Sequence, residues 1–237
     1  MHWLIVQNRF PVTNSALWIR PAAVITVAVL CSAFLTSCAT QGHKRSTKTG
    51  LQLQAVGDQA ARTSLQLEQT VAALSSLVQN PQADLRPQYK SYDRELSRLE
   101  SSASRLAKAR VDSAAKMKTF LAHWDKEIAL IQNPNIRALT QERKEALAQR
   151  FEAARRSYTN AETALNPMLA NFQDLQRVLS VDLTPTGVAV LQNPVAKANV
   201  ELTTTRQILE SVALEFRELG SAMTAFEESQ TRTELQE

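Results

Sequence analysis

The chain is short of the residue types on which most enzyme chemistry depends. Its 237 residues include two cysteines, three histidines and five glycines. The glycines, at 42, 50, 57, 187 and 220, are too scattered for a phosphate-cradling loop, and no GxxxxGK[ST] occurs. Nucleotide hydrolysis is therefore not expected, although long heptad helices invite comparison with coiled-coil ATPases. No Ser/His pair stands at a known motif spacing, and no calcium-binding loop is present. His123 and Glu127 share a helical face at i and i+4, but they lie off the apolar seam and no third ligand is suggested, so a surface pair is expected rather than a metal site. Catalytic, cofactor-binding and metal-ligating residues are all expected to be none, and the chain is not expected to be an enzyme. The formal charge of +4 does not imply nucleic-acid binding either. Arg9 and Arg20 are the only charged side chains before Cys38; without them 25 basic residues face 23 acidic ones, and a nucleic-acid footprint would need a concentrated basic face that net charge alone does not supply.

What is present begins with an apolar run of fifteen uncharged residues from Pro21 to Leu35. Such a run is long enough for an export-signal core and too short for a stable transmembrane helix. It leads directly into Leu35-Thr36-Ser37-Cys38, which resembles the lipobox of bacterial lipoproteins, with Leu three positions before Cys and small residues between. The resemblance implies that the Cys38 thiol carries diacylglycerol and that the signal is cut just before it. An ordinary signal peptide or an uncleaved anchor is the alternative. Cys31 would leave with the signal, so the mature chain would keep no free thiol. Ala39 after the cysteine, rather than Asp, is similar to what outer-membrane lipoproteins carry.

Four apolar series follow at steps of three and four residues. The first is Val56, Ala60, Thr63, Leu67, Thr70, Leu74 and Leu77, ending at Asn80-Pro81. The second runs from Leu85 to Ile131 through Tyr92, Leu99, Leu106, Arg110 and Met117, with Asp84 as the expected N-cap and Asn133-Pro134 as its end. The third runs from Ile136 to Leu179, with Pro167 as an expected kink or break. The fourth runs from Val188 to Phe226 after a Thr184-Pro185 start signal, with Pro194 as a possible division. No strand pattern competes. The pattern predicts an all-α fold, an elongated antiparallel bundle of three to four long coiled-coil-like helices, each up to about 70 Å long. The expected organisation is a signal peptide over 1–37, a lipidated cysteine and polar tether over 38–50, a helical bundle over 51–230 and a tail over 231–237.

Folding the series back on one another sets Arg110 opposite Tyr158. Arg110 then either joins a buried polar layer with Glu162 or Glu210, or reaches out past the seam. Phe120, Trp124, Phe151 and Phe216 fall at about one level, where core packing or a ligand cavity are the two readings. Residues 85–118 are rich in Lys and Arg and residues 201–237 in Glu, and the two stretches are expected toward opposite ends, with the basic end away from the tether.

From Asp84 to about Leu191 the chain resembles a family of proteobacterial helical lipoproteins known as a domain of unknown function. The residues that carry the likeness are Asp84-Leu85 with Tyr89, Phe120 to Trp124 with Glu127-Ile128, then Arg143, Arg155-Arg156, Tyr158 and Glu162. Pro167 with Leu169, Leu183 and the stretch from Val188 to Gln192 complete it. Residues 178–182 depart from the basic, His-containing stretch expected there. The likeness implies a helical envelope lipoprotein and supplies no activity.

These readings converge on a non-enzymatic structural or interaction protein, joined to the membrane by a lipid anchor at Cys38 on the periplasmic face of the outer membrane. An envelope protein is its expected partner, with no nucleic acid and no cofactor; the heptad seam suits an intramolecular bundle and a coiled-coil dimer equally. A periplasmic binding module, either a chaperone-like holder of clients or a carrier of an apolar ligand between helices, is the alternative.

Overall fold

A computed structural model describes the backbone of residues 22–234 and the side chains of residues 42–224. It contains five helices: α1 (Ala22–Gln79), α2 (Arg86–Leu130), α3 (Pro134–Val181), α4 (Pro185–Ala189) and α5 (Gln192–Glu234). Among the described residues there is no strand. The chain divides into two compact units, residues 1–42 and residues 43–237. The fold is all-α, and the second unit is a helical bundle.

The register of the bundle follows from its cross-helix contacts. Gln59 and Gln66 of α1 reach Ser102 and Glu95 of α2, so these helices are antiparallel. Tyr92 of α2 donates to the carbonyl of Phe172 in α3, and Arg110 lies against Tyr158, which makes the second pair antiparallel as well. Ser157 of α3 bonds Glu215 of α5, and Arg206 of α5 meets Glu68 of α1, closing an up-down-up-down ring. The core consists of the residues that the periodic spacing selects. Val56, Ala60, Thr63, Leu67, Thr70, Leu74 and Leu77 of α1 are all buried, facing Tyr92, Leu96, Leu99, Phe172, Leu209 and Phe216. Burial of each large apolar side chain contributes about 1.5–3 kcal/mol against its chain entropy.

Helix ends are fixed locally. The Asn133 side chain accepts from the amides of Asn135 and Ile136, and Pro134 takes the first helical position, so α3 starts as soon as α2 stops. Thr184 caps α4 by accepting from the amide of Gly187. Two expectations shift. Asp84 is not the N-cap of α2; Leu85 holds that position, while the Asp84 carboxylate accepts from the Arg86 amide one residue later. Pro167 lies inside α3 without ending it, because a single lost amide donor is outweighed by the buried residues on both sides, Leu165 and Met168. Pro194 sits in the first turn of α5, where its missing N–H costs nothing; the division of the fourth series falls just before it, between α4 and α5.

The start of the bundle also differs from expectation. Residues 43–50, read from their Ser, Thr, Lys and Gly content as tether, are helical and packed. Ser46 donates to the Met223 carbonyl, and Thr49 and Gly50 are buried. The reason is the glycine pair Gly50 and Gly220, which brings the α1 and α5 backbones so close that a Cβ on either would lie within 2.6 Å of the other's carbonyl oxygen. Gly57 repeats the arrangement one heptad on, against Ala213 and Arg217. Composition marked this stretch as polar linker; the close approach of two backbones makes it structure.

The charged stretches are likewise not at opposite ends. Glu95 of α2 bonds Gln66, and Arg206 of α5 pairs with Glu68, so both helices lie at the same level of α1 and run in the same direction. Residues 85–118 and the described part of 201–237 therefore occupy the same levels of the bundle rather than its opposite ends.

Candidate functional site

Leu35, Thr36, Ser37 and Cys38, the residues with the sharpest functional signal, lie within α1, and their side chains lie outside the described residues, as does the first part of the expected signal peptide over 1–37. Among the described residues no helix is long and apolar enough to cross a membrane. The nearest described surface to this segment in the sequence is the end of the bundle where α1 enters at His43.

At that end Arg45 contacts Nδ1 of His123 at 3.3 Å. The His123 ring is thus engaged at Nδ1 by a guanidinium from α1. Among the described residues no group of three or more His, Cys, Asp or Glu converges. Beside His123, Phe120 and Trp124 pack edge to face at 5.6 Å. With Ser46, Arg143, Leu147, Arg150 and Met223 they border a half-open hollow of about 240 Å³. Phe151 and Phe216 are buried in the core, as the core-packing reading expects, and neither borders this hollow.

Farther along, Arg110 lies with its Cζ 5.0 Å from the centre of the Tyr158 ring. Neither Glu162 nor Glu210 pairs with it: Glu210 is held by Arg206, and Glu162 acts on Tyr158 only through its charge. Burial pushes the Tyr158 hydroxyl pKa up, the Glu162 charge adds to this, and Arg110 opposes both. The guanidinium therefore sits over an aromatic face, a cation–π contact, with its Nε buried and unbonded.

A second set of polar residues was not legible as a site from spacing alone. Gln88, Glu95 and Ser102 recur at seven-residue steps on α2 and are all buried. Gln59 donates to Ser102, whose hydroxyl also meets Thr63, and one heptad on Gln66 donates to Glu95 while Thr70 donates to the Glu95 carbonyl. Gln88 bonds the Ser76 and Asn80 carbonyls and receives the Gln82 amide, tying down the α1–α2 turn. Burial raises the Glu95 pKa, but hydrogen bonds from Gln66, Arg94 and Arg98 outweigh it and hold the carboxyl below its usual range. Such rungs fix helix register rather than perform chemistry.

A groove of about 530 Å³ lies at the opposite end, between the end of α3 and the start of α5. Met168, Phe172, Leu175 and Leu191 form its floor, and Lys197 and Glu201 stand at its rim. It opens where the chain leaves α3, makes the short α4 and re-enters at Pro194.

The family model described as a protein of unknown function (DUF2959) matches residues 41–218. The chain belongs to this family. The match extends beyond the Asp84–Leu191 stretch on both sides, taking in the packed part of α1 and much of α5, so residues from all four long helices of the ring fall within it. Arg143, Phe120 and Trp124, which suggested the likeness, border the hollow at the α1 entry, and Tyr158 holds Arg110. No curated protein and no solved structure matches the chain.

Proposed function

We propose that this DUF2959 protein is a non-enzymatic lipoprotein, anchored through Cys38 to the periplasmic face of the outer membrane, and that it serves the cell envelope as a structural or protein-interaction component. The observation that carries this reading is the Leu35-Thr36-Ser37-Cys38 box directly after the uncharged run from Pro21 to Leu35. The packed unit begins at residue 43, so only residues 39–42 would separate the acylated cysteine from a stiff bundle. A firmly attached bundle of long helices suits a spacer or scaffold: it holds its faces at a fixed height above the bilayer and offers them to another envelope protein. Several acyl chains on one residue give stable attachment where one chain would give only marginal binding.

The groove between α3 and α5 favours a second reading, a module that holds an apolar segment or small ligand. The two are separated by recovering the lipidated protein from native membranes after mild crosslinking. A single protein in fixed stoichiometry supports the scaffold, and extractable apolar molecules lost on filling the groove by Ala198→Trp support the binding module.

A further inference from the structure

We propose that the tip of the α2–α3 hairpin is a second membrane contact, an apolar wedge that seats in the same bilayer leaflet as the lipid anchor. The inference rests on the lipoprotein reading above. Leu130 and Leu139 are 71 % and 67 % exposed, Ile136 is 53 % exposed, and Ile131 beside them is half-buried. Ile131, Ile136 and Leu139 continue the steps that bury their counterparts elsewhere in α2 and α3, yet they are left partly or largely uncovered here, and Leu130, off that series, adds a further exposed apolar side chain at the same tip. Exposed apolar clusters of this kind mark contact surfaces.

Position identifies the partner. Arg45, two residues inside the start of the packed unit, contacts His123, so the chain enters the bundle at the level of His123. Seven further residues of α2 carry Leu130 about 10 Å beyond that level, at 1.5 Å per residue. Cys38 is five residues before His43, and five residues span at most about 18 Å however they are arranged. An acyl-bearing residue on so short a leash leaves the bilayer surface within reach of the hairpin tip. The tip is also held in shape for the task. The Asn133 side chain caps α3, and the Arg137 guanidinium donates from Nε and a terminal nitrogen to the Ile131 carbonyl, closing off the end of α2.

The test uses the complete lipidated protein carrying Leu139→Cys, reconstituted in phosphatidylethanolamine/phosphatidylglycerol vesicles. With Cys38 acylated and Cys31 removed with the signal, the introduced thiol is the only one free to take an environment-sensitive fluorophore. The same label at Val200→Cys, exposed toward the other end of the bundle, is the reference. The proposal expects the label at 139 to shift to the blue and to be quenched by brominated lipid, with the label at 200 unchanged. A label at 139 that matches the one at 200, in protein that still floats with the vesicles, overturns the wedge and leaves the anchor standing. Protein that takes up label at Cys38 and fails to float overturns the anchor, and the wedge with it.

Discussion

Replacing Gly220 by Ala should destabilise the bundle, against the usual effect of that change in a helix. In an exposed helix interior Ala is favoured over Gly by about 0.5–1 kcal/mol. Here a Cβ on Gly220 would lie 2.5 Å from the Gly50 carbonyl oxygen and 2.9 Å from the Gln54 amide nitrogen, where ordinary contacts begin at 3.4 Å. The Gln54 Cγ, 2.6 Å away, belongs to a side chain that can swing aside, but the other two obstacles are backbone, so α1 and α5 must part by the better part of an ångström. That separation loosens Leu53, Phe216 and Leu219, which are fully buried around the pair. Overpacking of this kind costs about 1–3 kcal/mol. The net expectation is a loss of about 1–2 kcal/mol, or about 2–8 °C in Tm for a domain of this size. Gly42 supplies the control: it is exposed and a Cβ there meets nothing within 4 Å, so Gly42→Ala should be neutral or stabilising. Urea unfolding of the purified protein in detergent, followed by far-ultraviolet circular dichroism, measures both. If Gly220→Ala is as stable as Gly42→Ala, the close backbone crossing, and the ordered start of α1 that depends on it, are refuted.

Further outcomes follow from the interior, at Tyr92, Glu95 and Arg110. Tyr92→Phe removes the donor to the buried Phe172 carbonyl, 2.6 Å away, and should cost about 1–3 kcal/mol in the same urea assay. Burial also drives the Tyr92 pKa far above 10, so its contribution is present at neutral pH and is lost as pH rises above that value; the protein should unfold in alkali as Tyr92 ionises, with the absorbance step and the loss of helicity coinciding. Glu95 shifts the other way: its folded pKa lies below its ordinary 4.5, so its stabilisation is present above that pH and is lost as pH falls through the folded value. Glu95→Gln should therefore flatten the acid limb of a stability-versus-pH curve between pH 7 and 3, and an unchanged acid limb would remove Glu95 from the account. Arg110→Leu tests the cation–π contact and should change stability by no more than about 1 kcal/mol, whereas a loss of several would mean an ionic partner that the structure does not place there.

Much of the bundle was written in the spacing of its apolar residues. Leu67, Leu74, Tyr92, Leu99, Phe172 and Leu209 are core because three-and-four steps leave them no other face. Thr184-Pro185 marks a helix start for the same local reason in sequence and structure, and Asn133-Pro134, legible as the end of α2, is also the cap that starts α3. The misreadings came where a residue's role depends on a partner remote in the chain. Gly50 and Gly220 are 170 residues apart, and only their meeting turns a polar, glycine-ended stretch into helix. Gln88, Glu95 and Ser102 look like surface residues until Gln59, Gln66 and Ser76 are brought opposite them. The expected basic end failed because α2 and α5 run in the same direction, a consequence of the even number of long helices between their starts. The groove at the end of α3 depends on the offset that α4 introduces, which periodicity does not encode.

The central claim, that Cys38 anchors this bundle to a membrane, is tested most directly by the mass of the N-terminal peptide from membrane-purified protein. The account predicts a peptide that begins at Cys38 and carries acyl and diacylglycerol mass, absent from a Cys38→Ser variant that leaves the membrane fraction. An unmodified Cys38 within a chain that retains residues 1–37, or a Cys38→Ser protein that remains with the membrane, would contradict it.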